Sequence, residues 1–322
     1  MSGEPRSPSD DAPEDAPAAG PGYVPDHAPG PRRASPGLTL VSVPIGDARD
    51  VTLRALDALA TAEVLAAEDT RSLRRLLEIH GVPLGGRPLL AYHDHNGPRM
   101  RPRLLREMAE GRSVAYASEA GTPLLADPGY ALARAAIEAG HPVTAAPGAS
   151  ALLAALAVGG LPTDRFLFAG FPPPAAGARR RWLAGLDAAE ATVALYESPR
   201  RVHRLLGEMA EVFGADRPAA LCRELTKRFE EVLRGTLGEI AAALEGRAFR
   251  GEVVVLLGRP PPARAQEGDV AAALREALGR LSRRDAVAEV ARRTGAPRRA
   301  VYAMALEMEG RDAEDEPGGE GS

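Results

Sequence analysis

Short apolar runs alternate with amphipathic stretches over the first half of the chain. From Leu38 onward, the apolar runs predict five strands, at residues 38–43, 63–69, 88–94, 113–118 and 141–147. Apolar residues recur at helical spacing between and after these runs, which predicts helices at 51–62, 71–81, 99–110, 129–139 and 149–157. Strands that alternate with helices indicate a mostly parallel α/β sheet.

A second α/β unit follows a turn-rich break, GGLPTD, at residues 159–164. Its apolar runs predict strands at 166–171, 192–198, 219–225, 230–236 and 251–258, of which two neighbours are candidates for an antiparallel pair. Helical spacing predicts helices at 179–189, 200–213 and 237–245. The predicted fold class is therefore α/β, with two such domains in one chain.

Composition distinguishes the segments outside these two units. The N-terminal stretch is rich in Pro, Gly, Ala and Asp without apolar periodicity, and it predicts a disordered tail, as does the acidic C-terminal stretch. A proline-rich segment typical of a linker follows the second unit. The predicted division is a tail at 1–36, an N-terminal domain at 37–162, a second domain at 163–258, a linker at 259–268, a helical module at 269–309 and an acidic tail at 310–322.

The helical module contains the turn RRTGAPRRAVY, in which Gly295 ends one helix and Pro297 begins the next. This spacing is typical of a helix-turn-helix. Residues 259–310 hold ten arginines against seven acids, and this basic excess permits nucleic-acid binding. A purely structural appendage is the alternative interpretation.

Composition also limits the class of protein. Of the 322 residues, 45% are hydrophobic, which excludes wholesale disorder. Because the chain has no apolar run of about 18 residues and no signal pattern, we expect a cytoplasmic protein with no membrane segment. The single cysteine, Cys222, excludes an internal disulfide and a thiolate metal site. Among 40 basic residues the only lysine is Lys227, which makes that position a candidate for a special role.

Three loops follow predicted strands of the first unit at their carboxyl ends. They are VPIGD at 43–47, SEAGTPLLADPG at 118–129 and APGASA at 146–151. Ligands of open α/β sheets bind at this edge, so the three loops together predict a binding site. Within the third loop, Ser150 is a candidate either to cap the next helix or to hydrogen-bond a ligand.

The motif HDHN at 93–96 is predicted to place His93 and His95 on one face of an extended segment and Asp94 and Asn96 on the other. No matching His or Cys cluster accompanies it, so we predict no metal site. A polar wall that binds substrate or relays a proton is the favoured interpretation.

Arginine-rich segments are candidates for contacts with RNA phosphates. AGARRRWL at 176–183 predicts a mobile basic loop. YESPRR at 196–201 predicts a basic helix start, and AEDTR at 67–71 predicts either a helix cap or a substrate contact. The candidate RNA-binding residues are Arg71, Arg179, Arg180, Arg181, Arg200 and Arg201.

Taken in order, these motifs resemble the tetrapyrrole-methylase superfamily. The resemblance rests on VPIGDARDVTLRAL, AAEDTR, HDHN, SEAGTPLLADPG, PGASA, GLPTDRF, YESPRR, RELTKRFEE and GEVVVLLG. HDHN, SEAGTP and RELTK together are similar to its ribosomal branch, the 16S rRNA (cytidine-2′-O)-methyltransferases. The resemblance covers about residues 38–258 and continues into the C-terminal helices.

The resemblance implies two α/β domains with S-adenosylmethionine in the cleft between them. It also implies action on 16S rRNA in the small ribosomal subunit, at the decoding-site cytidine, by a homodimer. Glu119 and Ala149 depart from the branch, which usually has Asp and Pro there. The implied cofactor-binding residues are Pro44, Ile45, Gly46, Ser118, Gly121, Thr122, Pro123, Ala149, Ser150, Tyr196, Glu197, Gly251 and Glu252.

Methyl transfer to a ribose hydroxyl needs alignment of donor and acceptor and the removal of one proton. We therefore predict Lys227 as an electrostatic partner and His93 or Asp94 as the base. Two alternatives stay open at this point. One is methylation of a tetrapyrrole ring carbon, and the other is a non-catalytic nucleic-acid-binding regulator that retains the fold.

Overall fold

The first five strands form one parallel sheet. The computed structural model describes residues 33–125, 129–248, 250–260 and 267–314. The strand order is β3-β2-β4-β1-β5, and every pairing is parallel, as predicted. The strands are β1 (Gly37–Val41), β2 (Val64–Ala67), β3 (Leu89–Ala91), β4 (Ser113–Ala117) and β5 (Val143–Ala146).

Helices cover both faces of this sheet. They are α1 (Leu53–Thr61), α2 (Thr70–Ile79), α3 (Gly97–Ala109), α4 (Gly129–Glu138) and α5 (Ala151–Gly159). On one face α1 and α2 bury Leu59 and Leu73, and on the other α3 and α4 bury Leu104 and Leu132. Because β2 and β4 are buried at every position, their sequences are continuous apolar runs.

The second sheet is mixed, and its central strand comes last in sequence. Its order is β6-β7-β10-β8-β9, with β6 and β7 parallel and the other three pairings antiparallel. The sequence predicted one antiparallel pair; the structure has three. The strands are β6 (Phe166–Gly170), β7 (Thr192–Glu197), β8 (Pro218–Arg223), β9 (Glu231–Thr236) and β10 (Val253–Leu257).

The helix α5 joins the two sheets. One face of the second sheet packs on α6 (Ala176–Leu186), α7 (Val202–Phe213) and α8 (Leu237–Leu244). The other face packs on α5, which buries Leu152 and Leu156 against it. Gly159 allows this approach, because a Cβ there would collide with Cδ1 of Leu256.

The C-terminal module has its own core. It contains α9 (Glu267–Leu278), α10 (Arg283–Thr294) and α11 (Arg298–Glu314), which bury Leu274, Val290 and Val301 together. Gly295 ends α10 with φ of +69°, as the turn sequence predicted.

The structure differs from the sequence predictions in three segments. The strand predicted at 88–94 ends at Ala91, and the acidic tail predicted from residue 310 is helical as far as Glu314. The basic loop predicted at 176–183 belongs to α6, because Ala, Arg, Trp and Leu there are tolerated well by a helix. Most of the two predicted tails and of the linker lies outside the described residues. Among the residues that are described, no helix combines the length and apolar character that crossing a membrane requires.

Candidate active site

Two of the three predicted loops are joined by backbone hydrogen bonds. Val43 and Gly121 form an isolated antiparallel bridge in which the N–H of each donates to the carbonyl of the other at 3.0 Å. Gly121 has φ of +73°, and a Cβ there would lie 3.1 Å from Cγ2 of Ile45. The bridge therefore needs a glycine at this position.

A chain of hydroxyl groups adds the third loop. Ser42 Oγ donates to Thr122 Oγ1 at 3.3 Å, and Thr122 Oγ1 donates to the carbonyl of Ala149 at 2.9 Å. The three loops thus converge at the carboxyl edge of the first sheet, as their positions after β1, β4 and β5 predicted.

Antiparallel pairing in the second sheet builds a facing wall. Val253 begins β10 and pairs with Glu197, the last residue of β7, and with Arg223, the last residue of β8. Gly251 and Glu252 therefore lie beside the carboxyl ends of two strands that run the other way. Strand pairing thus brings together the residues of the second domain that were predicted to bind the cofactor, namely Tyr196, Glu197, Gly251 and Glu252.

A cavity of about 400 Å³ lies between the two walls. The predicted residues that line it are Ile45, Ser118, Gly121, Thr122, Ser150, Tyr196, Glu197, Gly251 and Glu252. Pro44 and Gly46 line a neighbouring smaller cavity, while Pro123 and Ala149 lie in the loops without lining either. Several other lining residues had no predicted cofactor role: Glu68, Glu119, Phe171, Cys222, Leu225 and Val254.

Ser150 presents an unsatisfied hydroxyl to this cavity. It occupies the N-cap position of α5, but its side chain makes no capping bond. The residue is 7% exposed, and within the described part of the chain its Oγ has no hydrogen-bond partner. A buried hydroxyl without a partner is unfavourable, so a polar atom of a bound ligand would stabilise it.

The lining of the cavity is acidic. It contains Glu68, Glu119, Glu197 and Glu252 and no basic side chain among the described residues. Glu197 is buried and pairs with Arg201 at 2.6 Å, whereas Glu68 accepts a hydrogen bond from the backbone N–H of Glu119 at 3.1 Å. Such a lining favours a ligand with positive charge.

The RELTK motif forms a strained turn that docks on the first loop. Glu224 and Thr226 have φ of +49° and +64°, values that residues other than glycine rarely adopt. Glu230 closes the turn by accepting the N–H of Thr226 at 2.6 Å. Thr226 Oγ1 in turn accepts the N–H of Asp47 at 3.1 Å. The strained backbone at Thr226 therefore lies where the second domain contacts the first loop, and the surrounding hydrogen bonds hold it there.

Lys227 lies in this turn between two carboxylates. Its Nζ donates to Glu224 Oε1 at 3.0 Å and to Glu252 Oε2 at 2.9 Å. Partial burial would lower the pKa of Lys227, but the hydrogen bonds to Glu252 and Glu224 outweigh it and raise the pKa above its ordinary value. Lys227 is therefore a fixed cation at neutral pH and does not act as a base.

Two residues that line the cavity have raised pKa values because they are buried. Burial raises the pKa of the Cys222 thiol to about 11. The thiol is therefore protonated at neutral pH and forms a small apolar part of the wall. Burial likewise raises the pKa of Tyr196, whose ring packs against Phe168 and Phe171 at centroid distances of 4.8 and 5.6 Å.

The HDHN motif forms a turn, so the predicted extended segment is wrong. Asn96 Oδ1 accepts the N–H of His93 at 2.9 Å, and Asn96 Nδ2 donates to the carbonyl of Ala91 at 3.0 Å. This local bonding ends β3 early. His93 and Asp94 lie outside the cavity lining, just beyond the strand next to β2. Within the described residues, no three His, Cys, Asp or Glu side chains are arranged to hold a metal ion.

Arg179 is not an RNA-binding residue. Its side chain is 2% exposed, and Nη2 donates to Glu208 Oε1 at 2.7 Å while Nη1 donates to the carbonyls of Pro173 and Pro174. The hydrogen bond from Arg179 holds the pKa of Glu208 below its ordinary value. The pair fixes α6 to α7 inside the protein.

The other arginine candidates reach the surface. The side chain of Arg71 is 88% exposed and pairs with Asp69, which caps α2 as the alternative interpretation predicted. Arg180 is exposed and pairs with Glu211, and Arg201 is half-buried against Glu197. Arg181 and Arg200 are also exposed.

Residues 37–241 match the family of tetrapyrrole (corrin/porphyrin) methylases, and residues 264–309 match the RsmI C-terminal HTH domain. The chain belongs to the tetrapyrrole methylase family. Members of this family are methyltransferases that use S-adenosylmethionine, and this chain is therefore a methyltransferase with that cofactor.

Two proteins named ribosomal RNA small subunit methyltransferase I are similar to this chain over nearly their whole lengths. The protein of Mesorhizobium japonicum is 44% identical over 291 residues, which are 89% of this chain and 97% of that protein. The protein of Xylella fastidiosa is 42% identical over 84% of this chain and 99% of its own.

Two solved structures of other proteins share the fold. Cobalt precorrin-4 methyltransferase superposes with a TM-score of 0.54 at 19% identity, over 69% of this chain and 94% of that chain. Diphthine synthase gives the same TM-score and identity over 69% of this chain and 89% of that chain. The predicted fold class is thereby confirmed.

The residues of the cavity fit the cofactor of the family. S-adenosylmethionine carries a sulfonium and an ammonium group, which suit an acidic lining. The unpartnered Oγ of Ser150 offers a hydrogen bond, and Ile45, Leu225 and Val254 offer apolar surface.

Proposed function

We propose that this protein transfers the methyl group of S-adenosylmethionine to the ribose 2′-oxygen of the decoding-site cytidine in 16S rRNA of the small ribosomal subunit. The observation that carries the proposal is the 44% identity, over 89% of the chain, with a ribosomal RNA small subunit methyltransferase I. The choice of nucleotide and of the ribose oxygen rests on the HDHN, SEAGTP and RELTK motifs.

Binding of the cofactor is assigned to both walls of the cavity. S-adenosylmethionine supplies, when bound, an electrophilic methyl group. Ser150 and the loops around Ile45 and Gly121 would hold it from the first domain, and Tyr196 and Glu252 would hold it from the second. These residues are fixed by the Val43–Gly121 bridge and by strand pairing, so they orient the reacting groups before the substrate arrives.

Lys227 is the proposed electrostatic partner of the ribose oxygen. Its charge is shared with Glu224 and with Glu252, and the Glu252 side chain is 72% exposed. An ammonium group has three N–H donors, so one stays available for the ribose oxygen while Glu224 and Glu252 accept the other two. His93 or Asp94 is the proposed proton acceptor. Both residues follow β3, which pairs with β2, and Glu68 of the cavity lining directly follows β2.

The proposal is tested by methyl transfer from radiolabelled S-adenosylmethionine to small subunits that lack this modification, followed by mapping of the label. Label on the ribose of the decoding-site cytidine is the expected result. Label on another nucleotide would overturn the assigned target. If the protein binds the cofactor but labels no RNA, a tetrapyrrole substrate or a regulatory role would replace the proposal.

Single-turnover rates test the catalytic assignments. Lys227→Met is expected to slow methyl transfer about 100-fold, because one electrostatic contact to the developing charge is lost. Lys227→Arg is expected to recover only part of the rate, since a planar guanidinium does not reproduce both contacts of an ammonium group. Either His93→Ala or Asp94→Asn is expected to cost about 100-fold, whichever removes the proton acceptor.

The neighbouring cation provides a control for Lys227. Arg228 is exposed and lies 5.4 Å over the ring of Phe229, so Arg228→Met should leave the rate unchanged. A near-normal rate for Lys227→Met would contradict the role of Lys227, and near-normal rates for both His93→Ala and Asp94→Asn would contradict a proton acceptor in this motif.

We also propose that the protein acts as a homodimer in the cytoplasm. Support comes from the family resemblance and from Phe166 and Leu167, which are 45% and 39% exposed on the edge strand β6. Sedimentation equilibrium should give twice the mass of one chain. A single-chain mass at the concentrations used for assay would contradict the dimer.

A further inference from the structure

Three arginines surround a concave surface in the C-terminal module. A cavity of about 340 Å³ between α10 and α11 is lined by Arg284, Val287, Arg298, Arg299 and Tyr302. On α11 the two arginines precede Tyr302 by four and three residues and so share one face with it. This cavity plays no part in the site between the two sheets.

These three guanidinium groups have no carboxylate partner within the described residues. Three acids of the module have other partners: Glu276 with Arg293, Glu289 with Arg280, and Asp285 with Ser282. Unpaired charges of one sign around a concavity concentrate a positive potential there.

The positions of the arginines along their helices are unfavourable for folding. Arg284 lies in the first turn of α10, and Arg298 and Arg299 begin α11. The N-terminal end of a helix carries partial positive charge, so cations there are disfavoured and anions are favoured. A bound anion would turn this repulsion into attraction.

We propose that this arginine cavity binds the phosphate backbone of the RNA substrate. Guanidinium groups hold phosphate oxygens in pairs, and the free backbone N–H groups at the start of α11 add further donors. Tyr302 is 43% exposed, with the Arg283 guanidinium 5.6 Å over its ring. An aromatic ring among arginines favours RNA over an acidic polypeptide, because nucleotides also stack. The inference rests on the proposed function for the identity of the RNA.

The test compares two double variants of the full-length protein. Arg298→Gln with Arg299→Gln alters the cavity, and Arg275→Gln with Arg292→Gln removes the same charge from exposed positions of the module outside it. The measurement is the Kd for a fluorescent RNA hairpin of the decoding-site sequence over a range of salt concentrations. The cavity variant should weaken binding at least about tenfold and lower the slope of log K against log salt by about 1.4 to 1.8, the value for two lost phosphate contacts. The control variant should change neither quantity.

A loss of folding cannot imitate this result. Removing cations from the start of α11 should leave the unfolding temperature unchanged or raise it. Equal weakening in both variants would show that net charge, and not the cavity, binds RNA. Unchanged binding in the cavity variant, or tighter binding of polyglutamate than of RNA, would also overturn the proposal. Because binding is read without methyl transfer, failure of the proposed reaction would leave a cavity-dependent RNA affinity standing.

Discussion

Replacing Arg179 with methionine is expected to lower the free energy of unfolding by about 3–5 kcal/mol, because Glu208 is left buried without its partner. The carbonyls of Pro173 and Pro174 lose donors in the same variant. Urea unfolding followed by circular dichroism measures the effect. Replacing both members of the pair, Arg179→Met with Glu208→Met, should recover most of the loss, since no charge then stays buried.

Arg180 offers a matched control on the same helix. It pairs with Glu211, and both side chains are at least 60% exposed. Arg180→Met should therefore cost no more than about 1 kcal/mol. If Arg179→Met folds as stably as Arg180→Met but loses RNA affinity, the structural role assigned to Arg179 is wrong. The RNA-binding role predicted from the sequence would then be supported instead.

The same pair sets a pH dependence. Pairing lowers the pKa of Glu208 in the folded protein, so its contribution to stability is fully present above the ordinary glutamate pKa of about 4.3. This contribution is lost as the pH falls through the lower pKa of the folded state. The stability difference between the wild type and the double methionine variant should accordingly shift in favour of the variant on acidification.

Gly46→Ala is expected to lower kcat/KM for methyl transfer about 100-fold while the protein stays folded, because a small displacement of the reacting groups is enough for such a loss. A Cβ at Gly46 would lie 2.5 Å from Cγ of Lys227 and 2.6 Å from Oγ1 of Thr226. The strained turn must therefore retreat from the first loop. Steady-state kinetics and a cofactor binding isotherm measure the effect.

Gly185 is the control for this substitution. It lies in α6, and a Cβ there would meet nothing within 4 Å. Gly185→Ala should leave activity intact and raise stability by about 0.5–1 kcal/mol, as alanine does in a helix. Full activity in Gly46→Ala would show that the turn and the loop do not need their close approach.

The sequence was sufficient for the parts of the site that depend on strand order. A loop that follows a parallel strand must emerge at the carboxyl edge, so the meeting of the loops at Val43, Gly121 and Ala149 was predictable without coordinates. The facing wall was less accessible, because it depends on β10 lying between β7 and β8. Spacing alone does not specify the order of strands in a mixed sheet.

Individual side chains escaped prediction where local sequence permits two outcomes. RRR at 179–181 suggests a basic surface, but one of three successive helical residues faces inward, and a carboxylate 29 positions later stabilises it there. Ser150 was equally suited to capping and to binding, and only its unpartnered hydroxyl favours the second. Glu68 lies in the AEDTR segment, which left a helix cap and a substrate contact open, and Phe171 ends a predicted strand without a predicted role; their place in the cavity follows from tertiary packing.

The place of β10 also governs the order in which the protein matures during synthesis. Until residues 253–257 have been synthesised, β7 and β8 lack the strand that lies between them. Residues 251 and 252, which precede that strand, are then not yet held in place beside the cavity. Domains of a nascent chain generally fold one after another as units. The second domain of this protein cannot complete its sheet, or its side of the cleft, before its final strand β10 has been synthesised. A product that ends before residue 253 is therefore expected to lack the central strand of the second sheet and the wall that this strand completes.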